Sequence, residues 1–332
     1  MLISASLIIV IVLSLTYAFI NGMRDSSSIV ATMISSRAFH PRAALGITAV
    51  AEFFGPLLFG VTVAKTIGGD IVASDTISLQ ALMVGLAGAI VWNLITWYFG
   101  IPSSSSHALI GGLIGAALIS SGWGAIKLSG FTKVLLALFI SPVVGFAIGF
   151  VALKLIYLLS QHATPNINNF FKRSQVFTAV ALAFSHGTND AQKTIGVITL
   201  SLIIGGQLAD FTVPFWVIIV SAGMMAAGTA LGGWRLIRTL GGKFYKIRPV
   251  HGFATQLSSG IVILTATLTG LPVSTSQVVS SAIIGVGASE RFGKVRWGVA
   301  GDILTAWVIT IPVSAFFSAG IYAMLVFFNI RL

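Results

Sequence analysis

Apolar stretches fill this chain almost from end to end and constrain its fold more than any other feature. They cover residues 2–20, 43–64, 80–99, 108–120, 134–159, 176–184, 194–205, 214–233, 252–270, 278–288 and 297–329. Of the 332 residues, 56% are hydrophobic and 8% are charged, whereas about 25% of the residues of a soluble domain are charged. A soluble protein with this composition would expose large apolar patches and aggregate. At about 20 residues per crossing, the sequence predicts an all-α polytopic membrane protein with roughly 10–12 membrane segments.

The few charged residues exclude several functions. The net charge is +11, but the basic residues lie in short loops between apolar stretches, which is typical of a positive-inside bias and not of nucleic-acid binding. The chain has no cysteine, so disulfides and thiolate metal sites are excluded. Five scattered histidines and the lack of a His-Glu-x-x-His or Gly-x-Gly-Asp pattern argue against an enzyme. Residues 1–20 lack a basic start and are interpreted as a first membrane helix and not as a cleaved signal.

Two pairs of similar segments indicate an internal duplication. Tyr17-Ala-Phe-Ile-Asn-Gly-Met-Arg-Asp25 resembles Leu182-Ala-Phe-Ser-His-Gly-Thr-Asn-Asp190. Further along each half, Ile101-Pro-Ser-Ser-Ser-Ser-His107 resembles Leu271-Pro-Val-Ser-Thr-Ser-Gln277. Because their order and spacing are kept, we predict two transmembrane repeats, residues 1–160 and 161–332.

The signs of the loop charges predict that the two repeats are inverted. Loop 37–42 is basic and its partner 206–213 holds only Asp210, whereas loop 66–80 is acidic and its partner 235–250 is basic. The basic residues of that last loop are Arg235, Arg238, Lys243, Lys246 and Arg248. By the positive-inside rule, both termini of the chain are expected outside the cytoplasmic membrane, although loop 121–133, also expected outside, holds Lys127 and Lys133. Inverted repeats are typical of secondary transporters, whose binding sites lie where the repeats meet.

Four short polar stretches interrupt the apolar sequence at equivalent places in the halves: 21–28, 103–107, 185–194 and 274–277. Gly22, Gly187, Pro102 and Pro272 lie in or beside them. These residues allow a helix to break, so we predict discontinuous, re-entrant helices at all four. Broken helices at mid-membrane present free N–H groups to an anion, and carbonyl and side-chain oxygens to a cation.

Asp25 and Asp190 are the strongest site candidates. A carboxylate in a membrane helix costs roughly 2.5–3.5 kcal/mol on insertion scales, and such a cost usually marks a function. The structural alternative is an ion pair, of Asp25 with Arg24 or of Asp190 with Lys193. Glu52 also lies in apolar sequence, but it has no repeat partner, and packing explains it as well as ion contact does.

The hydroxyl runs Ser103 to Ser106 and Ser274 to Ser276 follow the two prolines. Their hydroxyls can donate several hydrogen bonds to an oxyanion without carrying charge. They can equally cap helices that begin near Ala108 and Val278. His107, His186, Gln192 and Lys193 are weaker candidates.

These motifs resemble those of the inorganic phosphate transporter (Pit) family, in which a Gly-x-Asn-Asp signature occurs once per half. Gly187-Thr-Asn-Asp-Ala-Gln-Lys-Thr194 is similar to it, and so are the Pro-x-Ser-Ser/Thr-Ser/Thr-His/Gln segments at 102–107 and 272–277. The first copy departs from the signature at Arg24 and Ser28. For Arg24 two orientations are open, inward to the cavity or outward to the basic surface near Arg37, and we favour the outward one.

The resemblance implies symport of inorganic phosphate by alternating access, coupled to sodium or a proton. Sulfate or another tetrahedral oxyanion stays open as the substrate, and an anion channel is a less favoured alternative. The residues expected to bind substrate are Asp25, Ser103, Ser104, Ser105, Ser106, Asn189, Asp190, Ser274, Thr275 and Ser276. Those expected to bind the cation are Asn21, Asp25, Asn189, Asp190, Gln192 and Thr194. No cofactor or other metal is expected; the partners are phosphate, the coupling ion and the lipid bilayer, and a homodimer is left open.

Overall fold

The computed structural model describes residues 4–164, 166–232 and 247–329, and these ranges are almost entirely helical. The helices are α1 (Ala5–Ser35), α2 (Pro41–Phe59), α3 (Thr62–Gly69), α4 (Leu79–Phe99), α5 (Ser105–Ser121), α6 (Leu128–Leu159), α7 (Ile167–Ile204), α8 (Phe215–Leu231), α9 (Pro249–Leu268), α10 (Thr275–Glu290) and α11 (Trp297–Phe327). Five of them, α1, α2, α4, α6 and α11, are long and apolar enough to cross a membrane. The predicted polytopic helical membrane protein is confirmed.

Two helical hairpins interrupt the bundle where the sequence places its prolines. Gly100 ends α4 and Gly270 follows α9, with φ angles of +68° and +72°, a left-handed conformation that glycine adopts without a steric penalty. The chain then passes Pro102 or Pro272 in an irregular segment and enters α5 or α10. The predicted break is confirmed in both hairpins, and each new helix begins three residues earlier than expected, at Ser105 and Thr275.

The breaks predicted at Gly22 and Gly187 are wrong, because α1 and α7 continue through them. A glycine keeps its backbone N–H and costs a helix interior only about 1 kcal/mol, so it does not by itself end a helix. Both glycines instead allow close helix contact. A Cβ on Gly22 would lie 2.0 Å from the carbonyl oxygen of Met225 in α8, and one on Gly187 would lie 2.3 Å from that of Glu52 in α2.

Equivalent helices make equivalent contacts across the two halves. Helix α1 packs against α8 and α7 packs against α2, while hairpin helix α5 packs against α11 and α10 packs against α6. Glycines at these seams, among them Gly111, Gly115 and Gly285, leave no room for a Cβ beside the opposing carbonyl. Each hairpin helix is therefore held by a helix of the other half, which brings both hairpin starts to the centre of the molecule.

The loops 70–78 and 122–127 lie against each other. The backbone of Ala73 donates to Ala125, that of Lys127 donates to Ile71, and the Lys127 ammonium donates to the carbonyl of Gly69 at 2.8 Å. The two loops therefore lie on the same side of the molecule, as the predicted topology requires. In the basic loop, Arg235, Arg238, Lys243 and Lys246 lie outside the described residues.

Candidate functional site

The centres of α1 and α7 meet the first turns of α5 and α10 in a buried polar region. Oxygen and nitrogen atoms of Asp25, His186 and Asp190 all lie within 4.8 Å of one another. Asp25 belongs to the first half and Asp190 to the second, so the two predicted carboxylates form one site. Arg24, Glu52 and Lys193 are also fully buried in the membrane-spanning bundle.

Asp190 is surrounded by donors. The Lys193 ammonium, one helical turn on, donates to its Oδ1, and the Thr275 hydroxyl donates to its Oδ2 at 2.8 Å. Lys193 also donates to the Ser106 hydroxyl at 2.6 Å and to the Val273 carbonyl at 2.9 Å. The ion pair that the sequence left open for Asp190 is therefore present, and it joins α7 to both hairpins.

Asp25 has a different environment. The Ser105 hydroxyl donates to its Oδ2 at 2.6 Å, the counterpart of the contact between Thr275 and Asp190. Among the described residues, no ion pair joins Asp25 to Arg24. The Arg24 guanidinium donates instead to the Asn93 side chain and to the hydroxyl and carbonyl of Ser103.

Arg24 points into the protein, so the outward orientation favoured from the sequence is wrong. Its side chain is 1% exposed, far from the surface position that a snorkelling arginine would take. Buried oxygens from α4 and from the first hairpin accept hydrogen bonds from both terminal nitrogens of the guanidinium, whereas its Nε has no partner among the described residues. These charge-assisted hydrogen bonds hold the side chain inward.

Glu52 and His186 extend the site towards α2. One ring nitrogen of His186 lies 2.8 Å from Glu52 Oε1 and the other lies 3.0 Å from Asp190 Oδ2. These are ion-pair distances, although the ring is not aligned for straight hydrogen bonds. Glu52 also accepts a hydrogen bond from Thr229 in α8, so one imidazole links the carboxylates of two helices.

Several predicted residues hold the scaffold of the site. Asn189 donates to the Thr267 hydroxyl and to the Leu271 carbonyl, and it accepts from the Val273 backbone, which fixes the second hairpin loop. Gln192 accepts from the backbone of Val63 and Ala64 and donates to Gly60, so it caps α3. In this arrangement its amide binds backbone groups.

Different residues of the two hydroxyl runs make different contacts. Ser104 accepts from the His107 backbone and caps α5, while Ser105 and Thr275 face the two aspartates. Ser274 contacts Ser276, and the side chains of His107 and Gln277, in the first turns of the two hairpin helices, meet at 2.8 Å. Capping and an inward-facing role are therefore both present, on different residues of one run.

Two predicted cation ligands have polar atoms without a partner among the described residues. Asn21, one turn before Asp25 in α1, is fully buried, and neither its amide oxygen nor its nitrogen makes a hydrogen bond. The buried hydroxyl of Thr194 is also without a partner. An unsatisfied buried amide is costly, so Asn21 is available to a ligand.

A small cavity opens beside the first half of the site. Its volume of about 10 Å³ is room for one water molecule, much less than an oxyanion needs. It is lined by Arg24, Asp25, Ser27, Ser28, Pro102, Ser103, Ser276 and Ser280. In this conformation the cavity is therefore too small to hold an oxyanion.

The comparison with protein families agrees with this arrangement. A model described as "Phosphate transporter family" matches residues 21–165 and 158–318, which include all four polar stretches. The chain belongs to the phosphate transporter family. It is therefore a transporter and not an enzyme, as the sequence predicts.

Curated relatives of this transporter are similar over nearly its whole length. A probable low-affinity inorganic phosphate transporter of Bacillus subtilis is 43% identical, and the alignment covers 96% of each chain. One of Rhizobium meliloti with the same description is 42% identical over 94% of each chain. A solved structure entitled "The sodium-dependent phosphate transporter" matches with a TM-score of 0.90 at 26% identity, covering 98% of this chain and 100% of that one.

Sequence reasoning missed how Glu52 and Arg24 take part in this transporter's site. The signal for Glu52 was its position in an apolar helix, where a carboxylate is costly. Its partner His186 lies far away in sequence and in the other half. Asn93, which accepts a hydrogen bond from Arg24, lies outside every motif found in the sequence.

Proposed function

We propose that this chain is a symporter that moves inorganic phosphate across the cytoplasmic membrane by alternating access, coupled to sodium or a proton. One observation carries the proposal. The hydroxyl-bearing starts of two hairpin helices, one from each half, converge on a buried pair of aspartates beside Arg24 and Lys193. Hydroxyls and N–H groups bind the oxyanion, and the two cations offset its charge.

The carboxylates favour phosphate over sulfate. Asp25 and Asp190 accept hydrogen bonds and cannot donate them when ionised. Phosphate keeps at least one proton near neutral pH, which it can donate to such a carboxylate, whereas sulfate has none. A site with both donors and carboxylate acceptors therefore suits phosphate better.

The carboxylates also explain why a cation is needed. An anion 4 Å from a carboxylate is repelled by about 4 kcal/mol at an effective dielectric constant of 20. A sodium ion or proton bound at the aspartates removes this repulsion, so neither ion moves alone. The proposed cation ligands are drawn from Asn21, Asp25, Asn189, Asp190, Gln192 and Thr194. Of their side-chain amides, that of Asn21 has no hydrogen-bond partner among the described residues.

The two halves are proposed to be inverted, with residues 1–160 and 161–332 as the repeats and both termini outside. The exchange of equivalent helix contacts and the shared side of loops 70–78 and 122–127 support this topology. Single cysteines placed in loop 160–164 and in loop 70–78 should react with an impermeant thiol reagent from opposite sides of the membrane. A homodimer stays a prediction.

The deciding experiment is uptake of labelled phosphate by proteoliposomes under an imposed sodium gradient or an imposed pH gradient. Uptake should follow one inward cation gradient, and excess sulfate should not compete. Equal competition by sulfate would make the chain a general oxyanion permease. Uptake that ignores both gradients would instead indicate a channel.

A further inference from the structure

The Lys193 ammonium lies in a cage of oxygens that resembles the coordination shell of a small cation. An ammonium has three N–H donors, and here each has an oxygen: a carboxylate oxygen of Asp190, the Ser106 hydroxyl and the Val273 carbonyl. Carboxylate, hydroxyl and carbonyl oxygens are also the ligands that hard metal cations prefer. These three come from α7 and from both hairpins, so the ammonium lies at the junction of the two halves.

Among the described residues, the first half has no equivalent resident cation on its aspartate. Ser28 occupies the position that matches Lys193, three residues after the aspartate. Arg24 reaches the Ser103 carbonyl, the counterpart of Val273, but it makes no ion pair with Asp25 among the described residues. Asn21 lies one helical turn before Asp25 with its buried amide unpartnered.

We propose that Lys193 is a built-in counter-cation for Asp190, so that the transporter binds a single external cation, at Asp25 and Asn21. This rests on the proposed phosphate symport and specifies its stoichiometry. The covalently held ammonium neutralises Asp190 as a second bound cation would, and it is never released. One positive charge fewer then moves with each phosphate than in a carrier that has two open cation sites.

The test is to remove the ammonium and supply a soluble one. In Lys193→Ala, the cage oxygens remain and a space opens for methylammonium. Labelled phosphate binding to the purified full-length variant should fall roughly tenfold or more without methylammonium. Added methylammonium should restore binding and raise the thermal stability of the variant, while it leaves the wild-type protein unchanged.

Two control variants separate rescue from general salt effects. Lys127→Ala removes a lysine whose ammonium also binds a backbone carbonyl, but on the surface, and methylammonium should change nothing in it. Lys193→Met removes the charge but fills the space, so methylammonium should not rescue it. If Lys193→Ala fails to assemble, Lys193→Ser, which copies the residue of the first half, enters the same assays.

Charge counting provides a second, independent measurement. Reversal potentials in proteoliposomes should show one more positive charge per phosphate for the rescued variant than for the wild-type protein. Assembled variants without any methylammonium effect on binding or stability would overturn the proposal, and so would equal stimulation of the wild-type protein. Because methylammonium stabilisation is measured without transport, a failure of phosphate uptake in the wild-type protein would refute only the proposed function.

Discussion

At the scale of single residues, Asp25 and Asp190 occupy equivalent positions but differ in how many side chains they bind. Asp190 holds Lys193, His186 and Thr275, whereas Asp25 receives one hydrogen bond, from Ser105, among the described residues. Removing one partner of a buried ion pair costs about 3–5 kcal/mol, because the other charge stays buried and uncompensated. A single lost hydrogen bond costs closer to 1 kcal/mol.

The first prediction compares Asp190→Asn with Asp25→Asn. Both should lower phosphate uptake by at least about tenfold, since each loses a charged contact worth about 1.5–3 kcal/mol. Only Asp190→Asn should markedly lower the thermal unfolding temperature. It also breaks a buried ion pair, which lowers the free energy of unfolding by about 3–5 kcal/mol. Uptake assays and thermal unfolding in detergent check both expectations.

The exposed residue Asp75 supplies the control for this pair. Asp75→Asn should change neither uptake nor stability, because an exposed loop substitution alters the free energy of unfolding by about 0.5 kcal/mol or less. Unaltered uptake with unaltered cation dependence in Asp190→Asn would show that Asp190 is purely structural.

At the scale of helices, the hairpin starts combine capping with inward-facing hydroxyls. The second prediction is that the double variants Ser104→Ala with Ser105→Ala, or Thr275→Ala with Ser276→Ala, weaken phosphate binding more than cation binding. Two hydrogen bonds to a charged ligand, at about 1.5–3 kcal/mol each, correspond to at least tenfold in phosphate affinity. Binding titrations with labelled phosphate and with the coupling cation measure the two effects separately.

Loss of a helix cap alone is tested at Ser78, which caps α4 by accepting from the Ala81 backbone at 3.2 Å. Ser78→Ala should lower stability by about 1 kcal/mol and leave phosphate affinity unchanged. If both hairpin double variants bind phosphate with normal affinity, the hydroxyls that they remove act only as helix caps.

The third prediction concerns the contact between α1 and α8. Gly22→Ala places a Cβ against the Met225 carbonyl, so the helices must separate, at a cost of about 1–3 kcal/mol typical of overpacking. Gly46→Ala, in α2, is the matched control because a Cβ there has nothing within 4 Å. It should stabilise the protein by about 0.5–1 kcal/mol through helix propensity. Thermal unfolding of the two variants should therefore shift in opposite directions; equal shifts would contradict the packing role of Gly22.

At the scale of the whole molecule, the cavity beside the proposed phosphate site is too small for an oxyanion, so the proposed transport requires the hairpins to separate. The chain has no cysteine, so a single introduced thiol reports on its own site. The fourth prediction is that Ser280→Cys, in the cavity wall, reacts with a small polar thiol reagent only during opening, and that saturating phosphate slows the reaction. Labelling rates with and without phosphate measure this.

Ser129→Cys, at an exposed position at the start of α6, should react rapidly regardless of phosphate. If phosphate slows both thiols equally, the effect is not local to the cavity. If it slows neither, Ser280 lies away from the path of the substrate.

The sequence by itself determined the membrane class, the paired motifs and the hairpin breaks. These depend on local properties. Hydropathy along the chain decides where a helix can lie in lipid, and a glycine that adopts a left-handed conformation two residues before a proline ends a helix. The resemblance of the motifs in turn led to the right family. The roles of Gly22 and Gly187 were not local, because a glycine breaks a helix or lets one pack closely depending on the neighbouring helix.

Only the tertiary structure decided how the buried charges are paired. The partners of Lys193, Arg24 and His186 include Val273, Asn93 and Glu52, each far away in sequence, and no spacing rule connects them. A buried charge must find oxygen or nitrogen partners wherever the fold supplies them, since the cost of leaving it unpaired exceeds any local preference. The bundle satisfied that requirement differently in its two halves: Asp190 has a resident cation, and Asp25 has none among the residues that the structure describes.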